Sequence, residues 1–354
     1  MMKLKNLFLS LMALLLVVSA AAQSRKQVRQ YYYWINQAEL AICDGEYANA
    51  NKFYDEAFSI KFPFPKDLFS AYFFNLNITN DLERIQEYAK LLVECGDYGL
   101  SERYSRDGEG DTNIYKQLQQ IEANYHSLCD TSLQRCFEEI LEKDQSYPHT
   151  WGKRGGDEDS LNHIVMHYIE NIFEKYENIT PKTAGLYYIA YLHTPATHYV
   201  HSLEHSFQEF IKKNVLNGTL PADLYMDLED EYLWWNDVVT AEKEQCDPNG
   251  YGQGSYYFYV LDGTVFITYP TNLKLVNKRR KALGISETFE DLVKKIIWEN
   301  THNIVKWHSI VTIDYGDEKT DKEKATKMKQ EIDAEHAAGD FHRMYYEKGS
   351  KVSE

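Results

Sequence analysis

Basic side chains are scarce in this chain of 354 residues. It holds 38 lysines and arginines against 54 aspartates and glutamates, which gives a formal net charge of −16 at pH 7. Nucleic-acid backbones and anionic lipid surfaces both bind to positively charged faces of proteins. The charge balance therefore excludes nucleic acid and membrane surfaces as predicted partners, and the dispersed acidity favours solubility.

Cysteine is also rare. The chain has five cysteines, an odd number, whereas small disulfide-stapled proteins are cysteine-dense and have an even number. Cys129 and Cys136 are seven residues apart, which on one helix separates their backbones by about 10 Å, too far for a disulfide. We expect at most one disulfide, between Cys43 and Cys95, and the chain is long enough to bury a large core without it.

Long apolar runs are absent after the first 22 residues, so no later segment has the roughly 20 apolar residues that span a bilayer. The start of the chain has a different composition. Lys3 and Lys5 precede the apolar run from Leu7 to Val18, and small residues then lead to Ala22, which is the order of a secretory signal. We predict a signal peptide over residues 1–22 and an exported protein, periplasmic or extracellular, without a membrane anchor after cleavage.

The segment that follows the predicted signal has a repeat-like spacing of aromatic and small residues. The matching positions are Trp34, Ala38, Gly45, Tyr47, Ala50, Tyr54 and Ala57, with Pro63 after them. This spacing resembles one tetratricopeptide (TPR) unit, in which two helices turn at Asp44-Gly45 and pack closely through alanines. A second, less regular helix pair is predicted over residues 67–95. Residues 27–100 are therefore predicted to be a TPR-like helical region.

The rest of the chain is predicted to be helical, with one β-hairpin. Residues 101–112 contain two glycines and mark the predicted domain boundary. Helical periodicity covers residues 114–128, 133–143, 161–176, 203–215 and 289–299. Asp262-Gly263 lies between two runs of aromatic and β-branched residues and predicts a hairpin at residues 256–269. We predict a mainly α fold, with a helical domain over residues 112–316 and a charged helix and loose tail over residues 317–354.

Residues 133–293 resemble an uncharacterised bacterial family, a domain of unknown function. The landmarks that match are Asp144-Gln145, Asn162, His193, Gly218, Leu224 to Asp230, Tyr251-Gly252, Asp262-Gly263, Arg279-Arg280 and Leu283-Gly284. Their order and spacing agree along the whole segment. The resemblance implies no reaction, but it implies positions that cluster. We therefore predict a pocket formed by Asp144, Gln145, His193, Asp230 and Tyr251.

The strongest metal motif is His201-Ser-Leu-Glu204-His205, which has the H-x-x-E-H order of one class of zinc peptidases. On a helix, His201 and His205 lie one turn apart and could share a zinc ion, with Glu204 as the base. The alternative is that all three lie on a solvated helix face. His163 and His167 form a second pair with the same spacing, beside an apolar stripe. Neither a phosphate-binding loop nor a Gly-x-Ser-x-Gly motif is present, and no cofactor is predicted.

These patterns favour an exported, non-enzymatic module that binds a protein or another ligand. In this interpretation the TPR-like region presents a concave surface to a protein or peptide. The alternative is a hydrolase, with or without zinc, that uses polar residues around His193 and the segment from His201 to His205. A pocket in which Asp144, His193 and Tyr251 converge would favour the hydrolase.

Overall fold

The structure is a computed structural model of the chain. It describes residues 24–97, 99–101, 112–128, 130–146, 156–199, 205–235, 258–270, 272–302, 311–312, 318–341 and 343–347. The fold is mainly α with one β-hairpin, as predicted. The predicted signal peptide, residues 1–22, lies outside the described residues. Within the described part, no helix is both long enough and apolar enough to cross a membrane.

The N-terminal helices form two hairpins followed by a further helix. They are α1 (residues 24–43), α2 (Tyr47–Ile60), α3 (Pro65–Phe74), α4 (Leu82–Glu94) and α5 (Thr112–Leu128), with a π-helical turn at Asn75–Thr79. The chain turns at Gly45, whose φ is +75°. Ala38, Ala50 and Ala57 are fully buried in the apolar core of this group, as packing through small alanines requires.

A second group of helices follows. They are α6 (Thr131–Gln145), α7 (Gly156–Lys175), α8 (Pro181–Ala184), α9 (Tyr188–Tyr199), α10 (His205–Leu216) and α11 (Ala222–Trp235). Asp130 caps α6 by accepting hydrogen bonds from the backbone N–H groups of Ser132 and Leu133. The group shares one apolar core, centred on residues such as Phe137, Ile169 and Phe207.

The C-terminal part combines helices with a small sheet. Its elements are β1 (Phe258–Leu261), β2 (Thr264–Thr268), α12 (Leu273–Ala282), α13 (Phe289–His302), β3 (Val311–Thr312), α14 (Glu318–Ala337) and β4 (Arg343–Glu347). Asp262 and Gly263, with φ of +47° and +67°, form the hairpin turn, because tight hairpin turns of this kind need positive φ at both positions. Thr288 and Asp291 cap α13 reciprocally: the Asp291 carboxylate accepts from the Thr288 backbone N–H, and the Thr288 hydroxyl accepts from the Asp291 backbone N–H.

The sheet has the strand order β3-β1-β2-β4. β4 pairs antiparallel with β2, with Tyr346 opposite Val265. The expectation of a loose tail after residue 317 is therefore wrong for residues 343–347. The segment reads Arg-Met-Tyr-Tyr-Glu, and it completes the edge of a sheet whose two faces pack on α13 and α14.

The thiols that the structure describes are free. Cys43 is partly buried, Cys95 is buried, and neither forms a disulfide, so the one bridge that the sequence analysis allowed, Cys43–Cys95, does not form. Burial raises the pKa of Cys43 to about 12. Both cysteines belong to the apolar packing of the N-terminal hairpins, which needs no covalent link.

Helix α1 contacts both of the later groups of elements. The Tyr32 hydroxyl accepts a hydrogen bond from the backbone N–H of Ala222 at 2.8 Å, and the Tyr32 carbonyl accepts one from the Ser286 hydroxyl at 3.0 Å. Gly218 lies so close to α1 that a Cβ there would be 2.8 Å from a methyl of Val28. The N-terminal hairpins therefore pack directly on the rest of the molecule.

Candidate functional site

A cavity of about 500 Å³ lies where the three groups of elements meet. We call it the central cavity. Its wall is formed by α1, the start of α3, helices α9 and α11, and residues of α12 and α13 with the segment between them. Apolar and aromatic side chains cover much of the wall, and charged side chains from all three groups interrupt them. The site therefore exists only in the assembled fold.

Four charged residues form a continuous ionic network on one side of the cavity. The Lys295 ammonium contacts Glu39 Oε2 at 2.5 Å and Glu287 Oε1 at 2.7 Å. Glu287 also pairs with the Arg280 guanidinium. Lys295 is 1% exposed. Burial by itself lowers the pKa of Lys295, but Glu287 and Glu39 outweigh it and raise the pKa above its ordinary value. The network is therefore charged and fixed in place.

A second ion pair joins α3 to α11. Lys66 Nζ lies 3.2 Å from Asp223 Oδ2. Burial opposes the charge on Lys66, yet Asp223 and Asp67 raise its pKa above the ordinary value. The Asp223 carboxylate also accepts a hydrogen bond from the Leu224 backbone N–H at 3.0 Å. Asp223 is in the first turn of α11, where the helix dipole favours an acid.

Asp67, in the first turn of α3, is a different kind of group. It is 6% exposed, and the Tyr31 hydroxyl donates a hydrogen bond to its Oδ2 at 2.5 Å. The same hydroxyl accepts a hydrogen bond from the Phe64 backbone N–H at 3.2 Å. Burial raises the pKa of Asp67 to about 7, although Lys66 and the hydrogen bond from Tyr31 act in the opposite direction. The fold thus holds a carboxyl group that is half ionised near neutral pH.

Lys61 lies behind this part of the wall. Its ammonium donates to the Gly218 carbonyl at 2.9 Å and sits 3.2 Å from the centre of the Phe64 ring. Burial lowers the pKa of Lys61 to about 7, against the opposing effect of Asp67. Lys61 therefore loses much of its charge in the same pH range in which Asp67 gains its own.

His193 is the predicted pocket residue that lines the central cavity. Its Nε2 lies 3.7 Å from Asp227 Oδ2, and the imidazole is partly exposed. Asp144 is fully buried at the end of α6, where the Gln145 amide donates to its Oδ2 at 2.7 Å. Neither Asp144 nor Gln145 lines the cavity. The structure therefore does not bring these two residues together with His193 around this cavity.

The other predicted site residues fall outside the described part. Tyr251, His201 and Glu204 are outside the described residues, and the side chains of Asp230 and His205 are outside them as well. The described residues contain no group of three or more histidine, cysteine, aspartate or glutamate side chains that could hold a metal ion. The zinc motif thus remains a prediction from the sequence.

The sequence analysis missed most charged residues of the cavity, namely Glu39, Lys66, Asp67, Asp223, Asp227, Glu287 and Lys295. One signal was present. Lys295 interrupts the apolar stripe of α13 between Leu292 and Ile296, and a charged residue within a buried stripe indicates a partner. Arg280 was included only as part of the Arg279-Arg280 landmark.

Comparisons with family models, with curated proteins and with solved structures found no match to this chain. The resemblance of residues 133–293 to a domain of unknown function therefore rests on the landmark residues alone. The function has to be argued from the cavity itself.

Proposed function

We propose that this chain is an exported protein that binds a small organic molecule in the central cavity. One observation carries the proposal: a pocket of about 500 Å³ lined by apolar surface and by charged side chains from three parts of the chain. Small-molecule sites have volumes of roughly 300–1,000 Å³ and combine apolar walls with a few fixed polar groups. Export is inferred from the signal-like residues 1–22.

The state of the charged residues favours binding over covalent chemistry. Lys295 is held protonated between Glu39 and Glu287, and a protonated amine is not a nucleophile. Lys66 is protonated beside Asp223 for the same reason. Such paired groups orient a ligand without reorganising, which is the usual role of fixed polar groups in a binding pocket.

The site also changes the role proposed for the TPR-like region. Helices α1 and α3 contribute Asn36, Glu39, Lys66 and Asp67 to the cavity wall. In this proposal the N-terminal hairpins form part of the wall of a ligand pocket. Presentation of a concave surface to a protein or peptide remains a separate proposal, for which the repeat-like spacing is the support.

The test uses one variant that fills the cavity and one that does not. Ala190, on α9, is an exposed residue at the cavity wall, so Ala190→Trp narrows the space without displacing core residues. Ala123→Trp, at an exposed position of α5 away from the cavity, is the matched control.

The probes are tryptamine, tryptophol and indole-3-propionic acid, which share one ring system and differ in charge. Binding to residues 23–354 is measured by ligand-observed NMR titration. We expect at least one probe to bind and Ala190→Trp to weaken it about tenfold or more, while Ala123→Trp leaves it unchanged. If none of the probes binds, or if both variants behave like the unmodified protein, the proposal is wrong.

A hydrolase is the second candidate, because His193 and Asp227 form a histidine–carboxylate pair at the cavity wall. A carboxylate next to a histidine orients the ring and stabilises its charged form, as general-base catalysis needs. Hydrolysis of p-nitrophenyl butyrate that is lost in both His193→Gln and Ala190→Trp would support this candidate. Hydrolysis that persists in both variants would argue against it.

A further inference from the structure

Charge is not balanced within the central cavity. Its wall carries five carboxylates against three lysine and arginine side chains. The carboxylates are those of Glu39, Asp67, Asp223, Asp227 and Glu287. His193 adds a fourth positive charge only when it is protonated. The cavity is therefore acidic, and an acidic site favours a cationic ligand over an anionic one.

Two carboxylates carry the imbalance, Asp67 and, when His193 is neutral, Asp227. Glu39 and Glu287 pair with Lys295, Asp223 pairs with Lys66, and Asp227 lies beside His193. Among the described residues, Asp67 is the cavity carboxylate without an ion pair within 4 Å; its close partner is the neutral Tyr31 hydroxyl. The Tyr31 hydroxyl donates to Oδ2, and the remaining lone pairs of the Asp67 carboxylate can accept further hydrogen bonds.

A second atom of the cavity wall, the side-chain oxygen of Asn36, has no hydrogen-bond donor among the described residues. Asn36 is 4% exposed and lines the cavity. Its amide nitrogen donates to Asp291 Oδ2 at 3.1 Å, which fixes the orientation of the amide. Its Oδ1 is buried and has no hydrogen-bond partner in the described part of the chain. Asn36 Oδ1 is an unsatisfied acceptor and the Asp67 carboxylate is an acceptor as well, so the component that this wall calls for is a hydrogen-bond donor.

From this arrangement we infer that the ligand of the central cavity carries a protonated amine, and that its ammonium group binds against Asp67. The inference rests on the function proposed above and specifies the class of ligand. The remainder of the ligand is apolar or aromatic, because Tyr32, Phe64, Phe69 and Leu186 line the same space and aromatic faces also attract ammonium groups. The ligand is thus an amphipathic amine rather than an acid or a neutral alcohol.

The raised pKa of Asp67 agrees with this assignment. An ammonium next to Asp67 stabilises the carboxylate form, because its positive charge offsets the cost of burying the negative charge of Asp67. Charge-assisted hydrogen bonds to a buried carboxylate are also roughly twice as strong as neutral ones. Asp67 is therefore placed where a positively charged ligand would stabilise its ionised form.

The experiment compares tryptamine, tryptophol and indole-3-propionic acid at pH 8 with the same NMR titration of residues 23–354. We expect tryptamine to bind about tenfold or more tightly than tryptophol, and indole-3-propionic acid to bind most weakly. Asp67→Asn should bring tryptamine to within about twofold of tryptophol. Asp227→Asn, which alters a different carboxylate of the same cavity, should retain the preference for tryptamine.

The outcomes separate the two proposals. If tryptophol or the acid binds as tightly as tryptamine, the cavity binds ligands but the amine inference is wrong. If Asp227→Asn removes the preference and Asp67→Asn does not, the position of the ammonium is wrong. If none of the three binds, both proposals fail.

A pH series on the unmodified protein provides a test even if the Asp67→Asn variant does not fold. Tryptamine affinity should rise about tenfold from pH 6 to pH 8 as Asp67 ionises, while tryptophol affinity stays constant. The titratable groups that act on Asp67 from the surrounding elements are Tyr31, which is neutral in this range, and Glu39, Lys61, Lys66 and Asp223. A tryptamine affinity that is flat over this range would overturn the inference.

Discussion

The free energy of unfolding of Asp67→Asn, measured relative to that of the unmodified chain, should be higher at pH 8 than at pH 5. The asparagine amide has the shape of the carboxyl group and keeps an oxygen that can accept the hydrogen bond from the Tyr31 hydroxyl. It does not titrate. The substitution therefore removes one property of the site, the ionisation of a buried acid, and leaves its packing in place.

The magnitude follows from the pKa of Asp67, which burial raises from its ordinary value of 3.8 to about 7. The folded state holds the proton more tightly than the unfolded state, so the stability that the proton confers is complete below pH 3.8 and is lost as the pH rises through 7. A shift of this size corresponds to about 4 kcal/mol, of which about 2.5 kcal/mol is lost between pH 5 and pH 8. The asparagine variant has no such loss.

The assay is urea unfolding of residues 23–354, followed by far-UV circular dichroism at pH 5, 6.5 and 8. The free-energy difference between the variant and the unmodified protein should grow towards higher pH by about 2.5 kcal/mol. The measurement at pH 5 serves as the internal reference for any constant effect of the substitution. A difference that does not depend on pH, or that shrinks as the pH rises, would refute the reasoning.

Three further predictions concern other parts of the fold. Gly218→Ala should destabilise the protein in thermal unfolding by about 2 kcal/mol more than Gly339→Ala. Both glycines have positive φ, but of these two positions a Cβ would meet a close neighbour only at residue 218. Equal losses of stability in the two variants would contradict this prediction. Lys295→Met should cost roughly 3–5 kcal/mol in the same assay by leaving two buried glutamates without their shared cation, and a neutral result would show that the network is dispensable. Cys43 should react with iodoacetamide at pH 8 about a thousandfold more slowly than in the urea-unfolded chain, since burial raises its pKa to about 12; equal rates would disprove that burial.

Local patterns in the sequence predicted the elements of the fold well. Asp262-Gly263 specified the hairpin, because both residues adopt positive φ, and Thr288 with Asp291 marked the start of α13. Ala38, Ala50 and Ala57 specified the closely packed α1–α2 pair. Each of these signals acts between residues that are near in sequence, or through one small side chain, so a single chain is enough to recognise it.

The candidate site could not be predicted in the same way. Glu39 and Lys295 are 256 residues apart, and neither belongs to a motif. Their contact depends on how α1 packs against α13, which no local spacing encodes. The family resemblance drew attention to Asp144, whose amide partner is its own neighbour Gln145. His193 was the predicted residue that proved to line the cavity, because its position on α9 faces α11.

The separation of Glu39 from Lys295 also has a consequence for biosynthesis. Ribosomes add about 5–20 residues per second, so Glu39 exists for roughly 13–50 seconds before the lysine that neutralises it is made. During that time the hairpin formed by α1 and α2 carries an acid that its own neighbourhood leaves without a cation. The α1–α2 hairpin reaches its final environment, with Glu39 buried beside Lys295, only after α13 has been made. A nascent or truncated chain that lacks α13 should therefore leave Glu39 exposed to water.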